Sequence, residues 1–164
     1  MRDLALAYVA RFATSGGKLE AYLGRKLRER GWEGEDEPEI AALVTRFAEL
    51  GYIDDASYAR ARSGELLRRG YGPRRVSQAL GQAGIGEELR HAVRASDYEA
   101  RAAALHFARK RRFGPFASGP AGRAVREKQL AAMIRAGHGF AVARSVIEAA
   151  DEDEAEAWVS EASE

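Results

Sequence analysis

The 164-residue chain contains no cysteine. That excludes a disulfide scaffold, a thiolate zinc site and a cysteine nucleophile, and it fits a reducing cytosol. Long apolar runs are also missing. The longest, Leu4 to Ala10, stops at Arg11, far short of the ~20 residues a membrane span needs. Arg2 is offset by Asp3 and the run behind them is minimal, so the layout of a cleavable signal is lacking. A cytoplasmic protein without a membrane partner is the expectation. Strand character is scarce: Val and Ile are few and no segment sustains an apolar–polar alternation. The four prolines fall at helix starts or in one loop.

Catalytic groupings are lacking as well. His91, His106 and His138 lie far apart, and His91 alone has carboxylates one turn away, Glu87 and Glu88, without a further ligand. Surface or helix-packing roles suit all three. The adjacent Asp54 and Asp55 have the chemistry to hold a divalent ion, but a helix cap explains them with fewer assumptions. No phosphate-cradling glycine loop is present. The expectation is therefore a protein that is not an enzyme, with no cofactor and no metal.

What the chain does have is helical periodicity. Leu19, Tyr22, Leu23 and Leu27 share one face, as do Ile40, Leu43, Val44, Phe47 and Leu50. Val76, Ala79, Leu80 and Ala83 repeat the spacing. So do Leu130, Met133 and Ile134, then Phe140, Ala143, Ile147 and Ala150. Steps of three and four align these side chains on stripes, while Arg, Lys and Glu between them meet water. Ser96-Asp97-Tyr98-Glu99 reads as a capping box. Pro38 and Pro73 suit helix starts, where a missing N–H costs nothing. Gly31, Gly51, Gly70, Gly84 and Gly137 suit helix ends, which often need a left-handed residue. Residues 113–122, with two prolines and three glycines, read as a loop.

Three of the helix-closing glycines recur at a fixed interval. Gly31, Gly84 and Gly137 are 53 residues apart, each with an apolar residue four positions before it (Leu27, Leu80, Met133) and a new helix after it. Each period holds about three short helices. The fold expected is all-α, three tandem three-helix repeats forming an elongated helical stack. The repeats are placed at 1–53, 54–96 and 97–150, followed by an acidic tail, 151–164.

Charge is unevenly spread. Residues 148–164 hold eight acids and no Lys or Arg, so 26 basic side chains face 17 acids over residues 1–147, a net +9. Arg60, Arg62, Arg68, Arg69, Arg74 and Arg75 fall within sixteen residues, with Glu65 the one acid among them. Arg101, Arg109, Lys110, Arg111, Arg112, Arg123 and Arg126 follow without an intervening acid. Arginine forks suit phosphates and carboxylates, so a polyanion or an acidic protein surface fits this body. Solubilised helix faces are the plainer alternative. Tyr71 and Phe113 follow the basic runs and have the shape to stack on a base, although packing between helices is the simpler role. No recognition helix offers Asn or Gln to base edges, so any contact with nucleic acid would be weak, backbone-led and salt-sensitive. The acidic stretch Glu33, Glu35, Asp36, Glu37 and Glu39 reads as a solvated loop. The tail, with Ala157-Trp158-Val159, could dock on the basic body or bind a partner, but a frayed helix is the expectation.

Gly51-Tyr52-Ile53-Asp54-Asp55, followed by Tyr58-Ala59, resembles the signature of the RecX family, bacterial regulators of the RecA recombinase. Arg68-Arg69-Gly70-Tyr71-Gly72-Pro73-Arg74-Arg75-Val76 resembles the next characteristic stretch of that family, leading into Leu80 and Gly84-Ile85. Ala5 to Arg11, with Leu19, Leu23 and Leu27, fits too. The likeness covers residues 3–95 well and 97–150 loosely. It implies three tandem three-helix repeats, and a protein that binds RecA and its DNA filament and restrains ATPase and strand exchange in DNA repair and recombination, within the SOS response. On that reading Arg60, Arg62, Arg68, Arg69, Arg74, Arg75, Arg109, Lys110, Arg111 and Arg112 are the partner-binding candidates. Gly51, Tyr52, Asp54, Asp55, Tyr58, Gly72, Pro73, Leu80 and Gly84 are structural motif residues, with Tyr52, Tyr58 and Leu80 in the core. A monomer is expected. The loop at 113–122 and the acidic tail depart from the family pattern. The rival is a sequence-tolerant DNA-binding protein without a recombinase partner.

Overall fold

The computed structural model describes residues 1–33 and 38–163. Within the acidic stretch, Glu35, Asp36 and Glu37 therefore lie outside the described residues. Among those described there is no strand. The helices are α1 (Arg2–Arg11), α2 (Gly16–Arg30), α3 (Ile40–Glu49), α4 (Asp55–Arg68), α5 (Pro73–Gln82), α6 (Glu87–Ala92), α7 (Asp97–Arg111), α8 (Arg123–Arg135), α9 (Phe140–Glu148) and α10 (Glu152–Ser160). The fold is all-α, and α2, α5 and α8, the middle helices of the successive triplets α1–α3, α4–α6 and α7–α9, each end just before one of the three recurring glycines.

Helix ends follow the local chemistry of the sequence. Ser96 Oγ accepts from the Glu99 amide at 3.1 Å, and the Ser96 amide donates to Glu99 Oε2 at 2.8 Å. Each bond satisfies an amide that the first turn leaves without a partner. Asp54 caps α4, accepting the Ser57 amide at 2.9 Å. Gly84 and Gly137 close their helices at φ +75° and +97°, each followed by a residue whose amide reaches back to the helix, whereas Gly31 sits at φ +73° with ψ −177°, a conformation that favours glycine even more strongly.

The described residues form two compact units. The first comprises residues 1–61 and 80–92. Its core is Ala5, Leu19, Leu23, Phe47 and Ile53, ringed by Leu4, Tyr8, Tyr22, Leu43 and Val44. The apolar stripes of α1, α2 and α3 converge there. Tyr52 does not join that core, contrary to its expected role. It is 52% exposed, with its ring tilted against Phe47 at 5.3 Å. Beyond the turn at Gly51 it is Ile53, 6% exposed, that enters the core. Tyr58 is half-buried and Leu80 fully buried.

The second unit comprises residues 62–79 and 93–164. Ala104, Ala108, Met133, Ala143, Val146 and Ile147 form its core, with Phe107, Phe113 and Phe116 around them. Alanines on α7 let α8 and α9 approach closely, and the aromatic rings fill the remaining space. The tail is not frayed. Its residues form α10, which buries Ala155 and Val159 against Leu105 and packs Trp158 over α7. Asp151 caps it by accepting the Glu154 amide at 2.8 Å. Leu50, Ile134 and Phe140, counted on apolar stripes from the sequence, are exposed.

Candidate partner-binding surface

The arginine-rich segment 68–75 runs from the end of α4, through the short loop 69–72, into the first turn of α5, and the backbone of that loop is fixed. It leaves α4 at Gly70 (φ +88°), where a Cβ would come within 3.2 Å of the Phe107 backbone. The Gly72 amide donates to Ala136 O at 2.9 Å, and the Arg74 amide to Gly137 O at 3.1 Å. Gly72 lies so close to Gly137 that a Cβ on either would overlap the opposing backbone. His138, fully buried, donates from Nε2 to the Gly70 carbonyl at 2.9 Å. A carbonyl can only accept, so Nε2 carries a proton in this contact. Burial pulls the His138 pKa below its ordinary 6.5, against a smaller opposing effect of the Gly70 bond. The loop is thus clamped between α7 and the turn that follows α8.

Arg68, Arg69, Arg74 and Arg75 all stand exposed on this clamped backbone. Arg69 reaches Glu65 at 3.3 Å and lies over the Tyr71 ring at 5.6 Å. Arg75 donates to Gln78 Oε1 at 3.4 Å. Arg68 and Arg74 have no ion pair among the described residues. Arg62 pairs with Glu65 at 2.6 Å, and that bond holds the Glu65 carboxyl below its usual range. Arg60 donates to Ser57 Oγ at 3.0 Å and belongs to the first unit.

The second basic run meets the same place. Gly70 packs on His106 and Phe107, and Lys110 and Arg111 follow within the next helical turn of α7. Arg111 lies over Phe107 at 5.6 Å, and Arg112 closes the helix in the left-handed region at φ +55°. Segments some forty residues apart in the sequence therefore pack together at Gly70. Arg109 differs from its neighbours. It pairs with Glu156 of α10 and lies over Phe116 at 5.0 Å, so α10 draws it into the protein's own structure. Arg101 is likewise held, donating to Trp158 O at 2.7 Å with its guanidinium 4.7 Å from the indole. Phe113 packs inward, 6.1 Å from Phe107, and Tyr71 is half-buried.

The acidic pair divides its work. Asp54 accepts both the amide and the hydroxyl of Ser57, which hold its carboxyl below the ordinary range. Asp55 accepts the Gly16 amide at 2.8 Å, tying the start of α4 to the start of α2. Both carboxylates are engaged by the fold's own donors. His138 is the residue whose importance sequence reasoning missed. Its signal was its place directly after the third recurring glycine.

The fold is a series of three-helix repeats with exposed arginines on α4, α5 and α7. A family model described as "RecX, second three-helix domain" matches residues 54–93. The chain is 31% identical over 162 residues to the regulatory protein RecX of Myxococcus xanthus, covering 90% of this chain and 84% of that one. It is 31% identical over 157 residues to the regulatory protein RecX of Halorhodospira halophila, covering 94% and 90%. The crystal structure of RecX from Lactobacillus salivarius superposes with a TM-score of 0.69 over 90% of this chain and 92% of that one, at 18% identity, and shares the fold. The chain belongs to the RecX family, which is regulatory rather than catalytic. No described helix is long and apolar enough to cross a membrane.

Proposed function

We propose that this protein binds RecA and its DNA filament and restrains the recombinase's ATPase and strand exchange by occupancy, without chemistry of its own. The observation that carries this reading is the clamped segment 68–75. A backbone fixed at Gly70, Gly72 and Arg74 sets where the exposed arginines emerge, so no backbone ordering is needed when they meet an acidic protein face or a phosphate backbone. Family membership supports the choice of partner, and the surface chemistry supports the mode. Lys110, Arg111 and Arg112 extend the same surface. Arg109 is left out of it because Glu156 holds it.

The test replaces Arg68, Arg69, Arg74 and Arg75 together with Ala. The expected result is unchanged helicity and melting temperature, with inhibition of RecA's ATPase on single-stranded DNA weakened at least about tenfold, the scale on which losing a few charge-assisted contacts acts. Undiminished inhibition would remove this surface from the account. The DNA-binding alternative is separated by the same protein: it requires binding to bare DNA as tight as to the filament, falling steeply with salt.

A further inference from the structure

Arg109, Lys110, Arg111 and Arg112 are consecutive and all exposed at the end of α7. Arg109 and Arg112 lie three positions apart, on one face of that end. Arg109 alone has its charge answered: it pairs with the Glu156 carboxylate of α10. Among the described residues no ion pair reaches Lys110, Arg111 or Arg112.

The contacts that seat α10 are different from the one Glu156 makes. Ala155 and Val159 are buried against Leu105. The Trp158 carbonyl accepts from Arg101 at 2.7 Å, and its indole lies 4.7 Å from that guanidinium. None of these contacts uses Glu156. The side chains of the Arg109–Glu156 pair are 48% and 54% exposed, and ion pairs so open to water contribute little to stability. A helix anchored elsewhere thus delivers a carboxylate to Arg109. The Arg109 guanidinium also lies over the Phe116 ring at 5.0 Å, a second contact that keeps it in place when its anion is exchanged.

We propose that the end of α7 is a site for the phosphate backbone of single-stranded nucleic acid, built on Arg109 and Arg112 with Lys110 and Arg111 beside them, and that Glu156 is its internal competitor. Arginine forks suit phosphate oxygens as well as carboxylate oxygens. Four consecutive cations, within a run that holds no acid between Glu99 and Glu127, match the closely spaced charges of a polynucleotide better than one carboxylate does. A tethered carboxylate has a high effective concentration. It therefore holds Arg109 against dilute anions, and yields to a polyanion that the three neighbouring cations bind at the same time. The inference rests on the reading that this surface meets a phosphate backbone, and adds that α10 sets how tightly.

The test measures binding of the full chain to oligothymidylate by fluorescence anisotropy as salt is varied. Glu156→Gln keeps the size of the side chain and removes its charge. It should tighten binding about threefold at low salt, the scale of an exposed ion pair, with helicity unchanged. It should also steepen the fall of log K with log salt by about 0.7, the share of one further phosphate contact on a single strand. Arg109→Ala should change little in the wild-type background, where Glu156 already holds the guanidinium, and should abolish the gain in the Glu156→Gln background. Equal binding by wild type and Glu156→Gln overturns the proposal. So does a loss on Arg109→Ala of the same size in both backgrounds, which assigns the effect to overall charge, or binding too weak to measure in every variant. RecA takes no part in these readouts, so failure here is distinct from failure of the recombinase reading, which the Arg68, Arg69, Arg74 and Arg75 variant tests.

Discussion

His138 Nε2 donates to the carbonyl of Gly70 at 2.9 Å across 68 residues of sequence, while its Nδ1 lies buried without a partner among the described residues. The bond ties the arginine loop to the turn after α8. It also makes the neutral ring the form that the fold accepts, because a proton on Nδ1 would place a charge in a site already sealed from water.

A pH dependence follows. Burial lowers the folded-state pKa of His138 below 6.5, so between the two values the unfolded chain binds more protons than the folded one. The stabilisation is fully present above pH ~6.5 and is lost as pH falls from there through the lowered folded value. Urea midpoints measured between pH 8 and 5 should decline on the acid side of that window. His138→Gln, which keeps a donor for Gly70 and cannot titrate, should flatten this part of the decline. An equal slope in both proteins would assign it to carboxylates.

The glycines should differ in cost. Gly72→Ala drives a Cβ into the Gly137 backbone, and a clash between two fixed backbones costs about 3 kcal/mol. Gly31→Ala has open space around it among the described residues but must keep φ +73° with ψ −177°, about 1 to 2 kcal/mol of strain. Denaturant titration of the two variants should separate them clearly. Equal losses would mean that the contact at Gly72 relaxes freely.

The C-terminal helix should behave as a structural element. Trp158→Ala removes an indole that packs on α7 beneath Arg101, and because the ring is half-buried the loss should be about 2 kcal/mol, below that of a fully buried one. Hydrogen exchange should show α10 opening first and Leu105 losing protection with it. Arg109→Ala removes an exposed ion pair with Glu156 and a guanidinium contact with Phe116 and should cost about 1 kcal/mol.

The capping box offers a smaller, local effect. Ser96→Ala leaves the Glu99 amide without its side-chain acceptor and should destabilise by about 1 kcal/mol. Ser96→Asp, which can accept the same bond and suits the helix N-terminus, should recover most of it. A Ser96→Ala protein as stable as wild type would mean that water replaces the cap fully.

The local order was legible in the sequence. Periodicity, caps and helix-closing glycines are short-range features, determined by which side chains sit three or four residues apart and which residues tolerate a left-handed backbone. They were enough to place α2, α3, α5, α7, α8 and α9, the cap at Ser96 and the interval of 53. Tertiary structure decided the rest, since contacts between distant residues leave no spacing to read. It turned the expected frayed tail into α10 by supplying Leu105 and Arg101 as a seat. It left Tyr52 in solvent because Ile53 took the inward direction. It separated Arg109 from Lys110 and Arg111, which composition had grouped together, by offering Glu156 to the first. The spacing of Gly31, Gly84 and Gly137 was there to be counted. That Gly84 and Gly137 lie against another segment's backbone follows from where Gly17 and Gly72 stand in space.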